Sequence, residues 1–472
     1  MFNKIIQNEW LQWQRDSRLK GLSVFFFAIS LIALWHQLDF QGNLSKIRND
    51  AQRDSRQEWL AQEAKHPHMA AHFGNYAYKK PSMLHCFDPG LSIYTGTSVY
   101  MEPHRQNDFL FSKSQESDTG LRFGWLSPAL ICQLIFPLLI ILLTFNAING
   151  ERERGTLPLL LAQGASFRDI IFAKTVAAFT IFEGFFTAYL LATIVASGFL
   201  LGAKMDISSI FYVWAVYSLY FFGWSLLGVF VSAKVKNAGA SIAILLLLWM
   251  FTNIIIPRIS ANIAENIYPL TTNYAFKKQV AESVQKGLDG HNPSSERAKK
   301  LEKELLTQYK VDSVQQLPFN FEGLVMQQSE EYSSKVYDVH FSKIFETLKK
   351  QKNIQAWFAA FSPFIAVRNL SMVGCNANLE TDIDFQQQAE NFRRSFVQDM
   401  NNDMKDNSAF GSFETYRVKT SKYAAINDLQ VENRPLSWSL PSVATEHIWL
   451  LLWGLGLVFL AFKISENKLI YD

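Results

Sequence analysis

Charge is scarce in this 472-residue chain: Asp, Glu, Lys and Arg make up 18% of it, against about 25% in an average soluble protein. What charge there is nearly cancels, with 45 Lys and Arg against 42 Asp and Glu and a net +3. No global basic field therefore points to nucleic acid. Glycine (23) and proline (14) are too few for a collagen-like chain, and neither an internal repeat nor a low-complexity tract is present. The chain has no Gly-x-x-x-x-Gly-Lys-Ser/Thr loop, so it lacks the usual means of cradling ATP phosphates. It also has no Gly-x-Ser-x-Gly and no His-Glu-x-x-His. What is plentiful is apolar and aromatic: 49% hydrophobic residues, with 39 Phe and 12 Trp. These fall into runs of Leu, Ile, Phe and Ala separated by stretches as polar as any soluble domain. That split excludes a disordered chain and a purely soluble enzyme, and reads as a membrane protein with large water-exposed parts.

Six runs are long and apolar enough to cross about 30 Å of hydrocarbon as helices. They are residues 21–38, 126–148, 170–201, 210–233, 239–256 and 447–462. The third is over-long, which suggests a tilt or a break, and Pro257 is expected to stop the fifth. No small-x-small site follows Trp35-His36-Gln37, so the first run is expected to be a span rather than a cleaved signal, and no lipid-attachment signal is read at either end. Lys4, Arg15, Arg18 and Lys20 precede the first span; Arg152, Arg154 and Arg168 follow the second, and Lys234 and Lys236 the fourth. Lys463 and Lys468 lie in the tail, while the turn at 202–209 has only Lys204. The positive-inside rule then puts segment 1–20, the loop 149–169 and the tail 463–472 in the cytoplasm, and residues 39–125 and 257–446 outside.

The outer segments are expected to fold as one mainly α domain built from two insertions. Residues 42–66 read as a polar helix. Lys277–Leu288, Ser295–Tyr309, Phe321–Gln351 and Phe385–Met404 read as further helices, with Asn292-Pro293-Ser294-Ser295 as a start signal and Leu324, Tyr337, Phe341, Phe345 and Leu348 near one stripe. Any β structure is expected around 75–112, a stretch rich in Tyr, Pro and Gly.

The loop after the second span carries the strongest functional signal. It reads Asn149-Gly150-Glu151-Arg152-Glu153-Arg154-Gly155-Thr156-Leu157-Pro158-Leu159-Leu160-Leu161-Ala162-Gln163-Gly164. A topological anchor needs only positive charge. Alternating Glu and Arg followed by a short apolar helix suits a docking element that offers both signs and an apolar ridge to a soluble partner. With Glu151, Glu153, Gly155, Thr156, Leu157, Gly164 and Lys174 in place, the chain resembles the permease subunits of type-2 ATP-binding-cassette exporters. In that family this loop is the coupling helix pressed on the ATPase. The resemblance implies that Glu151, Arg152, Glu153, Arg154, Gly155, Thr156, Leu157 and Arg168 couple to an ATPase. It also implies that residues 1–20, with Trp10-Leu11-Gln12-Trp13, form an interfacial connector helix. Outside the membrane, Pro67 to Gly74, Asp88-Pro89-Gly90, Glu102 to Asn107, Phe361-Ser362-Pro363 through Ser371-Met372, and Phe385 through Glu390 to Arg393 resemble a subfamily with a large uncharacterised outer domain. Asn378-Leu379-Glu380-Thr381-Asp382 departs from that pattern.

Three further features call for a reading. Five of the nine histidines, His66, His68, His72, His85 and His104, fall between residues 66 and 104. The i, i+4 spacing of His68 and His72, with His104 nearby, suits Zn or Cu ligation; hydrogen bonding within a polar domain is the alternative. Cys132 lies in a span as packing, which leaves Cys86 and Cys375 as an outer pair that an oxidising compartment would allow to bridge. Glu183 interrupts the third span, so it faces either protein or a water-filled pathway.

The expected whole is a bacterial inner-membrane permease that binds no ATP or Mg itself, is not an enzyme, and works with two copies of an ATPase subunit and a second permease, identical or sister. The size of its outer domains points to a lipid, peptide or periplasmic protein as substrate, or to an envelope partner. Two rival classes fit the same sequence: a membrane sensor or scaffold with a ligand-binding outer domain, and a membrane-bound metal enzyme.

Overall fold

A computed structural model describes residues 1–110, 126–202, 205–287, 295–412 and 415–465 of the protein. Lys204, Leu288, Asn292, Pro293, Ser294 and Lys468, used in the sequence reading, lie outside them. Among the described residues six helices are long and apolar enough to cross a membrane, as expected. In chain order the elements that matter are α1 (Phe2–Arg15), α2 (Ser17–Leu60), α3 (Pro67–His72), α4 (Phe136–Thr144), α5 (Asn149–Glu153), α6 (Thr156–Ala162), α7 (Phe167–Leu201), α8 (Ile207–Lys234), α9 (Ala238–Met250), α10 (Ile256–Ile267), α11 (Asn273–Val284), α12 (Glu296–Tyr309), α13 (Phe321–Trp357), α14 (Pro363–Gly374), α15 (Leu379–Asn407) and α16 (Ala444–Ser465).

The bundle is organised around α8, the most enclosed of the spans. Its Tyr217, Tyr220, Phe221 and Trp224 are buried in one continuous apolar core with Phe136 of α4, Phe186 of α7 and Leu450 of α16. Polar side chains start the helices cleanly: Ser166 and Asp169 form a reciprocal capping box on α7, and Asp206 and Asn237 cap α8 and α9. The over-long third span is a single unbroken helix of 35 residues.

Two boundaries differ from expectation. The first span does not end near Leu38. The chain from Asp39 to Leu60 holds no proline, and Gly42 is carried inside the helix, so α2 runs on as one helix of 44 residues, roughly 66 Å at 1.5 Å per residue. Pro257 does not stop the fifth span either. A π-turn at Phe251–Ile255 precedes it and α10 continues beyond. The extra residue relieves the proline ring's clash with the preceding turn, but Pro257 still lacks the N–H that would reach the Thr252 carbonyl. Ser362 supplies that bond instead, its Oγ donating to the Thr252 oxygen at 2.5 Å. The second span solves the same problem at Pro137. A π-turn at Ile131–Ile135 precedes it, and the Tyr220 hydroxyl donates to the Gln133 carbonyl at 2.9 Å. In a bilayer, where no water can take over, such substitutes are what make an intramembrane proline tolerable.

The two insertions between the spans share one core. Trp59 at the end of α2, Ala70 and Ala71 of α3, and Val99 and Met101 of the sheet pack with Phe385, Phe396 and Met400 of α15 and with Tyr423. The sheet is antiparallel, in the order β1 (Asn75–Tyr78), β2 (Ser98–Glu102), β3 (Arg105–Leu110), within the region where strands were expected. Buried polar bonds join the insertions: Lys79 pairs with Asp382, Thr95 donates to Asp382 at 2.8 Å, and Ser371 donates to Asp88 at 2.5 Å. The departing stretch Asn378 to Asp382 is thus the start of α15, with Thr381 bonded back to Asn376 and Asn378. A Cβ at Gly90 would overlap the Ala377 carbonyl, so Asp88-Pro89-Gly90 is a close-approach turn against the end of α14.

The Cys86–Cys375 bridge that an oxidising compartment would allow is not formed. All three cysteines are free and fully buried. The join between the insertions is made by Ser82 donating to the Cys375 carbonyl at 2.6 Å, and the Leu91 amide to that of Ala377 at 2.9 Å.

Candidate functional site

The loop between the second and third spans folds as two short helices, α5 and α6, hinged at Gly155. That residue has φ +68° with no atom within 4 Å of where a Cβ would stand, so glycine is required there by conformation rather than by space. Behind the hinge the loop is pinned to the end of α8: the Ser232 hydroxyl accepts the amides of Ile148 and Asn149 at 3.0 and 3.2 Å, and Arg152 donates to the Ala233 carbonyl at 2.9 Å. Leu157 is buried in a small core with Ile148, Phe167, Ile170 and Ile5. In front, Glu153, Arg154, Pro158, Gln163, Gly164 and Arg168 are exposed, and Leu159 is 60% exposed. Arg168 stacks over Phe462 at 4.1 Å.

Two of the residues grouped as one docking cluster in the sequence separate here. Glu153 and Arg154 point outward. Glu151 is buried, 5% exposed, and cannot meet a partner directly. Its carboxylate bonds Lys174 Nζ at 2.9 Å and accepts the Thr156 hydroxyl. Lys174 also pairs with Glu9, so one buried ammonium ties α1, α5 and α7 together. The reason lies in α1, whose Phe2, Ile5, Ile6 and Trp13 face the bundle with Glu9 among them. A carboxylate on that apolar face must find a cation. Glu9 was missed in the sequence, although a single acid on the apolar stripe of an amphipathic helix was the signal. Trp10 adds an indole bond to the Ala177 carbonyl at 3.3 Å, which fixes the connector helix along α7.

Glu183 is partly buried and accepts the Ser218 hydroxyl of α8 at 2.8 Å. It therefore faces a neighbouring helix, the structural alternative raised above. Away from this loop, a cavity of about 860 Å³ lies between the polar half of α2 and the sheet, lined by Asp39, Arg48, Tyr76, Tyr78, Lys79 and Tyr100. A second, of about 400 Å³, is lined by Asp88, Gln133, Lys352, Arg368 and Asn369. Nothing in the sequence marks either: the first is closed by α2 folding against residues 73–100, and the second joins residues from Asp88 to Val443.

The structure brings His68, His72 and His104 together and leaves His85 elsewhere. The three candidate ligand atoms lie within 4.8 Å of one another. His66, buried beside them in sequence, is held down to about 4, first by burial and then by the charge of Arg417.

Comparison with known proteins adds two matches. The model of the family described as ABC-2 family transporter protein matches residues 3–317. A domain of unknown function (DUF3526) matches residues 274–431, the greater part of the second insertion. No curated protein matches the chain.

Proposed function

The chain belongs to the ABC-2 transporter family, as a membrane-embedded permease subunit, and from that premise we propose that residues 149–168 are its contact with a separate ATPase. The observation that carries this is the division of labour in the loop. Glu153, Arg154, Pro158 and Leu159 form an exposed ridge of both charge signs and apolar character, while Glu151, Lys174 and Glu9 bolt its back to α7 and α1. A push on α6 would pass through that buried ammonium into the third span and the connector helix, which suits conversion of ATPase closure into rocking of the bundle.

In this reading the loop, both chain ends and Lys234 face the cytoplasm of a bacterium, and the two insertions form an extracytoplasmic domain. Two ATPase copies and a second permease complete the machine. Its substrate, or an envelope partner, is received outside, where the large cavity beside α2 offers tyrosine faces and an arginine. The reading predicts that Glu153→Arg combined with Leu159→Asp inserts normally yet loses capture of the cognate ATPase by about 30-fold or more, the scale of about 2–5 kcal/mol for buried interfacial charges. Glu304→Ala, exposed in the outer domain, should leave the complex intact. Full capture and full transport-coupled hydrolysis by the loop variant would refute the assignment.

A further inference from the structure

We propose that His68, His72 and His104 form a three-imidazole site for a divalent transition-metal ion, zinc in the first place, with Glu330 as the carboxylate that orients His104. The ligand geometry comes from three separate elements. His68 and His72 stand one turn apart on α3, with their Nε2 atoms 3.0 Å apart. His104 comes from the two-residue turn between β2 and β3, and its Nε2 lies 3.4 Å from that of His68. Zinc–imidazole bonds of about 2.0–2.1 Å in a tetrahedron separate neighbouring nitrogens by about 3.4 Å. Rings at centroid distances of 4.5, 5.0 and 5.1 Å thus converge on a volume that one ion fills.

Two independent observations show that the arrangement is held for a purpose. His104 has φ +69°, a left-handed conformation that glycine or asparagine takes readily and that strains a larger side chain. It persists because Glu330 of α13 grips the residue twice, accepting the His104 amide at 2.8 and 3.0 Å and lying 2.5 Å from Nδ1. A carboxylate on Nδ1 sets the tautomer that leaves Nε2 as a lone-pair donor, the usual outer-shell support of a metal-bound histidine. Glu330 is itself fixed by Arg393, which is buried and bonded to Glu390 at 2.7 and 2.8 Å and to Ser334 at 3.0 Å. His68 is buried while His72 and His104 are partly exposed, so the fourth position opens to water or to a donor from outside.

The test uses the full-length chain in detergent with an affinity tag free of histidine, stripped with chelator and dialysed against Zn²⁺. Elemental analysis should find about one zinc per chain in the wild type and background in the His68→Ala/His72→Ala/His104→Ala variant. Glu330→Gln should weaken binding by about 10–100-fold. Co²⁺ in place of zinc should give the visible absorption of a four-coordinate site. Added Zn²⁺ should also raise the melting temperature of the unmutated protein, which keeps a readout free of any folding defect in the variants. If the wild type binds no more metal than the triple variant, or shows neither the Co²⁺ spectrum nor the melting shift, the three histidines only hydrogen-bond to one another and the proposal falls.

Discussion

His85 shows how much a single side chain can be asked to do in the outer domain. It is buried, its Nδ1 accepts the Ser82 amide at 3.2 Å, and its own carbonyl accepts a bond from Gln37. Burial above all, then the charges of Lys79 and Arg48 against one opposing backbone contact, press its pKa down to about 3. The unfolded chain takes up that proton near pH 6.5, whereas the folded one refuses it until about 3. Stability linked to His85 is therefore complete above pH 6.5 and drains away as the pH falls through that window, by about 2 kcal/mol at pH 5. His85→Gln keeps an acceptor and loses the titration. Melting curves at pH 7 and pH 5 should show the wild type losing more stability than this variant, and parallel losses would contradict the argument. A histidine in a Tyr- and Pro-rich stretch gave no hint of this burial, because the groups around it come from α2 and from the end of α14.

At the scale of the helix, Pro257 was legible in the sequence and its consequence was not, while Pro137 inside the second span was passed over. Proline-stop reasoning omits donors from elsewhere in the fold. Tyr220 gives its one hydroxyl proton to the Gln133 carbonyl, and its oxygen lies 3.1 Å from the Asn253 side chain, so this tyrosine stands between both proline-interrupted spans. Tyr220→Phe should leave a bare carbonyl in the apolar core and destabilise the bundle by about 1–3 kcal/mol, read as faster unfolding in denaturant-titrated detergent. An unchanged midpoint would mean that the π-turn alone satisfies the backbone. The loop 149–168 was legible as a charged stretch, a break at Gly155 and one short apolar helix, all local signals, whereas the first helix, Asn149–Glu153, was not. Which of Glu151 and Glu153 faces out was not, since that depends on Lys174 and Glu9 arriving from other helices.

For the whole molecule, the number of spans and the division into two insertions followed from apolar runs alone, because a bilayer imposes length and composition directly. Their union in one domain was expected too, but not the residues that make it, since positions as distant as Trp59 and Tyr423 meet, the indole donating to the Tyr423 carbonyl at 2.9 Å. Trp59 is 1% exposed at the centre of that shared core. Trp59→Ala should cost about 3–5 kcal/mol and should expose sites in 39–110 and in 363–431 to protease together. Digestion confined to one insertion would show that the two fold separately.

One consequence of α2 concerns mechanics. Its near end adjoins α1, which Glu9 fastens to Lys174. Its far end carries Trp59, and Arg56 donates to the Ile426 carbonyl at 2.5 Å. A continuous helix of 44 residues, roughly 66 Å long and anchored at both ends, can act as a lever. With the fulcrum at the middle of the span, a swing of only about 5° at the α1 end would carry the far tip by roughly 3–4 Å over an arm of about 40 Å. Under the proposed function, strokes generated by nucleotide would then be felt in the insertions without any molecule having to cross between the spans.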